Sequence, residues 1–109
     1  MLIKAESAKA KMRGPMEIKE YDINEKFSGA LIKINGEHGR IRCLKEDRIY
    51  FIVDGKGTFI IDGLEQKVSG YDVVFVPKLT PYSLSGSLKY FLVCSPKFKP
   101  EDDEELGDR

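Results

Sequence analysis

The sequence predicts an all-β domain, a barrel or sandwich of antiparallel strands. Three observations carry this. Between residues 29 and 95, runs rich in Val, Ile, Phe and Tyr alternate with Gly, Asp, Asn, Ser or Pro, the pattern of short strands joined by turns. Two pairs, Asp54-Gly55 and Asp62-Gly63, mark hairpin turns, because Asp-Gly accepts the positive φ such turns need. A chain of 109 residues with 41% hydrophobic content makes one domain with one modest core.

The elements follow in order. Residues 1–28 are mixed and polar and read as an N-terminal extended arm or edge strands. Within them "AESAKAKM" could support a turn of helix, which Gly14-Pro15 stops. Residues 29–99 hold the barrel. Strands are expected near 30–34, 40–44, 49–54, 57–61, 72–76 and 88–94, on the runs "ALIKI", "IYFIV", "TFII", "DVVFV" and "KYFLVC" and the stretch before Leu44. "GKG" at 55–57 reads as a hairpin tip rather than a phosphate loop, since no helix start follows it. Residues 100–109 form an acidic run that reads as a solvated, disordered tail, with Phe98 able to pin the preceding chain onto the barrel.

Composition excludes several partners. Lys plus Arg and Asp plus Glu are both 18, so no global charge calls for nucleic acid or an anionic membrane. No apolar run approaches the ~20 residues of a membrane span. The N-terminal stretch lacks an apolar signal core, so the chain reads as cytoplasmic. Cys43 and Cys94 have neither metal-type nor disulfide-framework spacing and read as buried free thiols.

The strands do not alternate as a sheet with one wet face should. In "IYFIV", Tyr50 and Ile52 form one face and Ile49, Phe51 and Val53 the other, and both are apolar or aromatic. Both faces need cover, and a second copy of the chain supplies it. The expected partner is therefore another protomer in a homodimer.

The stretch Gly36 to Pro96 resembles a small single-domain cupin. The first cupin motif ends in a glutamate, six residues and a glycine, and counting back from Gly55 places Arg48 at the glutamate. In the second motif Pro77 stands at the proline, Leu79 at a glycine, Tyr82 at the histidine and Gly86 at the asparagine. Gly70 precedes Pro77 by one residue more than usual, with Tyr71 inserted. The resemblance implies a double-stranded β-helix, the cupin or jelly-roll barrel, with an open mouth and often dimeric. It does not carry over the metal site. The His-x-His positions hold Arg42 and Leu44, or Ile41 and Cys43, depending on the gap. An arginine has no lone pair to give a metal, so no metal and no cofactor is expected. Cys43 with Glu46 or Asp47 is the remaining remnant, with too few ligands.

The residues picked for chemistry are therefore few. Arg48, Tyr50, Tyr82 and Cys43 are the candidate ligand-binding set. Tyr82 as an acid and His38 as a base are the weaker catalytic candidates. The lone histidine, in "NGEHGR", reads first as an exposed turn residue. Arg48 should share an inward face with Tyr50 and Ile52. There it needs either an internal carboxylate, making it a strut, or the carboxylate or phosphate of a small anionic ligand. The abundance of Asp and Glu favours the strut. The sequence thus points to a cupin-type barrel that binds a small molecule without catalysis. The alternatives are a metal-independent, or residually metal-dependent, isomerase or epimerase of a sugar or small acid, and a structural dimer with a filled barrel. Fold alone does not choose among them.

Overall fold

The computed structural model describes residues 1–107; Asp108 and Arg109 lie outside the described residues. Three strands dominate it: β3 (Ser28–Cys43), β4 (Asp47–Ile61) and β7 (Tyr82–Ser95). Run straight, the 16 residues of β3 would span about 50 Å, beyond the 39 Å greatest dimension of the molecule. These strands therefore bend, and each contributes one half to either wall of the barrel.

The pairing shows how. Beside them lie β1 (Lys9–Arg13), β2 (Met16–Tyr21), β5 (Leu64–Ser69), β6 (Val73–Val76) and β8 (Asp103–Glu105). One wall runs β1, β2, the first half of β3, the second half of β7, the first half of β4, then β6. The other runs β8, the end of β3, the start of β7, the second half of β4, then β5. Every pairing is antiparallel.

The corner between the walls is made of glycine. Gly36, Gly86 and Gly57 are register partners across β3, β7 and β4. Gly86 has φ +128°, and a Cβ there would lie 2.6 Å from Gly57 Cα and from Lys56 O. No side chain fits such a rung. Bulges flank this rung on either side, one in β3 between His38 and Ile41, opposite Tyr82 and Leu84, and one in β4 between Ile52 and Asp54, opposite Lys89 and Tyr90.

Several expectations are corrected here. The runs near 30–34 and 40–44 are one strand, as are 49–54 and 57–61, because bulges and glycines bend them without breaking them. Asp54-Gly55 accordingly lies within β4, paired with Lys89 and Leu88 just past the bulge at Val53, and is not a turn; "GKG" lies inside that strand rather than at a hairpin tip. Asp62-Gly63 is the hairpin turn expected, with φ +50° and +83° between paired Ile61 and Leu64. The polar strand β5 went unpredicted. "AESAKAKM" gives one 3₁₀ turn, Ala5–Ser7, and then β1 rather than helix. The acidic stretch 100–107 is structured, not disordered: Pro100–Asp102 forms a 3₁₀ turn and β8 pairs with β3.

The core is lined from both walls by Ile32, Ile34, Ile52, Phe59, Leu84 and Leu88, all buried, each stabilising the fold by about 1.5–3 kcal/mol. On the outer face of the first wall, Ile49 pairs with Phe75 and Phe51 with Val73, and all four are exposed at 40% or more. The apolar second face read from the sequence is therefore a surface patch. Leu79, at the family's glycine position, has φ +69°, and the inserted Tyr71 has φ +73°.

The glycine rung sets a graded test. At Gly63 nothing lies within 4 Å of an added Cβ, so Gly63→Ala should cost only the conformational penalty, about 1 kcal/mol. Gly86→Ala adds a backbone collision and should cost at least about 2 kcal/mol more. Urea titration of the two variants measures the difference.

Candidate functional site

Alternation along β4 turns Arg48, Tyr50 and Ile52 inward, all at 2% exposure or less. The guanidinium is met by three internal groups. Its Nη1 donates to Tyr82 Oη at 2.9 Å, and its Nη2 donates to Asp103 Oδ1 at 2.5 Å and Glu46 Oε1 at 3.2 Å. The Phe98 ring sits 5.5 Å from Cζ, a cation–π contact. Nε has no partner among the described residues.

Each partner is fixed in turn. Glu46 lies in the link between β3 and β4 and is fully buried. Its Oε2 accepts the Lys99 N–H at 3.0 Å, and its own N–H donates to Cys43 Sγ at 3.3 Å. Burial pushes the Glu46 pKa up, opposed by the Lys99 N–H and the Arg48 charge. Asp103 arrives on β8, opposite Cys43, with Leu44 N–H donating to Asp102 O at 2.8 Å.

A chain of phenols leads from Arg48 into the barrel. The Tyr82 and Tyr50 hydroxyls are hydrogen-bonded to each other. Tyr50 also packs edge-on against Tyr90 and Phe59, at 5.1 and 5.0 Å between centroids. Burial raises the pKa of Tyr50, Tyr82 and Tyr90, so all three phenols are protonated at neutral pH. His38 stacks on Tyr82, with centroids 6.1 Å apart and planes 18° apart. Its Nδ1 lies 2.8 Å from Gly39 O. A carbonyl only accepts, so Nδ1 carries the proton and Nε2 keeps the lone pair of the neutral ring. Burial lowers the His38 pKa, and the nearby Arg48 charge adds to this.

A cavity of about 940 Å³ opens along this chain, with His38, Arg48, Tyr50, Tyr90, Ile18 and Ile32 on its wall. Of the residues chosen from sequence, Arg48, Tyr50 and His38 are thus brought together. Tyr82 stands behind them, buried, as the link from Arg48 to Tyr50. Cys43 is away from the cavity wall, buried, and engaged with Glu46. His38 is half-buried within β3, not an exposed turn residue, because the bulge that follows it bends the strand inward. Burial also raises the thiol of Cys43 and pushes that of Cys94 up to about 12, so neither is a ready nucleophile.

Sequence reasoning missed Tyr90 and Asp103. Tyr90 was legible, since it falls on the inward alternation Leu88, Tyr90. Asp103 was not, being one acid among several in the run after Pro100. Among the described residues no three His, Cys, Asp or Glu side chains converge to hold a metal ion. At the former histidine positions, Arg42 Nε donates to Glu104 at 2.9 Å and Leu44 is exposed.

Neither a protein-family model nor a curated protein matches the sequence. Solved structures do match the fold. The cupin domain of Schizosaccharomyces pombe Cnp3 aligns over 85% of this chain and 72% of its own, at 12% identity and TM-score 0.74. This chain has the cupin fold. KdgF from Halomonas aligns over 93% of this chain and 96% of its own, at 13% identity and TM-score 0.81. Streptomyces Pac13, described as a unique nucleoside dehydratase, aligns over 99% of this chain and 92% of its own, at 16% identity and TM-score 0.90. Pac13 variants with a tyrosine or a histidine replaced are solved with uridine. At these identities the likeness is one of fold.

Removing Arg48 would leave two carboxylates facing each other without a cation. Arg48→Met should therefore cost at least about 3 kcal/mol. Adding Asp103→Leu and Glu46→Gln to it should recover part of that loss. Chemical denaturation of the single and triple variants checks this order.

Proposed function

We propose that this barrel is a metal-independent enzyme that moves a proton on a small hydroxylated molecule, with His38 as base and Tyr50 as acid. The observation that carries the reading is that both line the same cavity, from opposite walls of the barrel, with Tyr82 between them. Arg48 donates to the Tyr82 oxygen, and in the arrangement proposed Tyr82 in turn donates its proton to Tyr50. The Tyr50 O–H is then free to donate into the cavity. A neutral His38 with Nε2 unprotonated is the complementary base. The base takes a proton from a carbon acidified by a neighbouring carbonyl, and the electron pair forms a double bond. The phenol protonates the departing hydroxyl, which leaves as water, or the carbonyl oxygen, which gives an enol and hence isomerisation. In the dehydration the proton held by histidine returns to the phenol through solvent; in the isomerisation histidine delivers it back to carbon while the phenolate takes a proton from an enol hydroxyl, so none is gained or lost overall.

The sequence placed a non-catalytic binder first and such an enzyme second. The pairing of base and phenol reverses that order. The size of the cavity favours either over a filled structural barrel. Pac13, a nucleoside dehydratase of the same fold solved with uridine, directs the first ligand panel to nucleosides and their oxidised derivatives, then to sugars. Wild type should be stabilised by a member of the panel, by about 2.7 kcal/mol at a hundredfold excess over Kd. Loss of water or isomerisation should be visible by NMR. Tyr50→Phe and His38→Gln should bind and not turn over. Binding with no turnover by wild type would restore the non-catalytic reading, and no binding would remove both.

His38 supplies a pH signature. Its folded pKa is lowered by burial from the ordinary 6.5, so below that pH the unfolded chain binds the proton more readily. The stability is fully present above pH 6.5 and is lost as pH falls through the folded value. His38→Gln should flatten this part of the pH–stability curve in thermal melts.

The proposed assembly is a homodimer through the outer face bearing Ile49, Phe51, Val73 and Phe75, an exposed apolar patch of the kind that marks an interface. Light scattering at micromolar concentration should give twice the chain mass, and Phe75→Glu should give the monomer. A wild-type monomer would refute this assembly.

A further inference from the structure

β1 is inside out. An edge strand beside a hydrophobic core should turn its apolar residues inward. Here Lys9, Lys11 and Arg13 alternate with Ala10 and Met12, so the two-residue period puts the cations on one face and the apolar residues on the other. The three cations are on the cavity wall, while Met12 is 70% exposed. The strand gives up burial of a methionine in order to present positive charge to the cavity.

That charge is largely unspent. Elsewhere on the wall Arg48 is matched by Glu46 and Asp103, and Lys97 by Asp22 and Glu25. On β1, Lys11 pairs with Glu20 at 3.2 Å, both about half-exposed, a weak pair that can be given up to a ligand. Lys9, Arg13 and, on β3, Arg40 have no ion-pair partner among the described residues. The carboxylates on the wall without a partner, Glu37 and Glu105, belong to β3 and β8 and leave β1 cationic. Successive cations on one face of a strand stand about 7 Å apart, close enough for one anionic group to engage two of these long side chains.

We propose that the molecule taken by the cavity carries a phosphate or carboxylate, which docks on the Lys9–Lys11–Arg13 stripe while its neutral body reaches Tyr50 and His38. This rests on the reading of the cavity as a binding site. It moves the anion site away from Arg48, whose charge is already met by Glu46 and Asp103. The competing account is that these cations merely guard a sheet edge against pairing with another chain, and it gives no preference for anions.

The test uses matched pairs, uridine with uridine 5′-monophosphate and glucose with glucose 6-phosphate. Each is titrated calorimetrically at about 20 mM and about 300 mM salt, which spans weak to strong screening. Inorganic phosphate is followed separately by ³¹P line broadening. Proteins are wild type and the Lys9→Gln/Arg13→Gln double variant, with melting temperature confirming that the variant is folded. In the pair that binds, the charged member should bind wild type at least about tenfold more tightly at low salt. That preference should fall to about twofold or less in the variant or at high salt. Phosphate should be broadened by wild type and not by the variant. If neutral and charged members bind equally, the anion site is refuted while the proposed function stands. If no pair binds but phosphate still distinguishes the proteins, the stripe stands and the choice of neutral body is wrong. If neither responds, both readings fall.

Discussion

A guanidinium that cannot lose its proton is buried near the floor of this barrel, and much of the site is arranged around it. Arginine keeps its charge in any protein environment, and a buried charge is tolerated only when paired and hydrogen-bonded. Arg48 thereby requires a carboxylate from the β3–β4 link, another from β8, and a phenol from β7. Three separate parts of the chain converge because one side chain demands it. The position is the one at which the cupin pattern carries a metal-binding glutamate. A covalently attached, non-exchangeable cation here organises the inward-facing oxygens.

The electrostatic consequence reaches the cavity through two bonds. Arg48 donates to the Tyr82 oxygen, and Tyr82 is hydrogen-bonded to Tyr50, so a charge that is itself screened from solvent is linked to a phenol on the cavity wall. His38 approaches from the other wall, delivered by the bulge in β3. The two walls meet at the glycine corner, so that His38 from one and Tyr50 from the other line the same cavity. The packing of the corner and the geometry of the site are therefore not separable.

Much of this was legible in the sequence because it depends on local alternation. The inward set Arg48, Tyr50 and Ile52 follows from a period of two, and so does the apolar outer set. Asp62-Gly63 carries its turn in its own two residues. What was not legible depends on long-range pairing. Asp54-Gly55 has the same letters as a turn, yet β7 lies alongside it and pairs it with Lys89 and Leu88 inside β4. The acids of β8 look solvated until Arg42 and Arg48 are placed opposite them. The strand β1 looks like a polar arm, since its alternation is inverted and its cations point inward. His38 is flanked by turn formers, and only the register of β3 against β7 shows that the chain continues through it. Leu79 stands where the cupin pattern has a glycine and takes a φ of +69°, a conformation that the residue alone would argue against.

The central place of β7 has a consequence for how the chain reaches this state. It lies between β3 and β4 along their whole length, pairing Ser28 with Cys94 and Asp47 with Ser95, yet it follows both in sequence. The β4–β5 hairpin can close early around Asp62-Gly63, because its partners are neighbours. The edges of β3 and β4 that β7 will fill must wait for a segment several dozen residues away, and closing such loops is entropically slow. During that wait two long, apolar edges stand open to one another and to other chains. The pairing of β7 with both neighbours is thus where this topology concentrates its loop-closure cost.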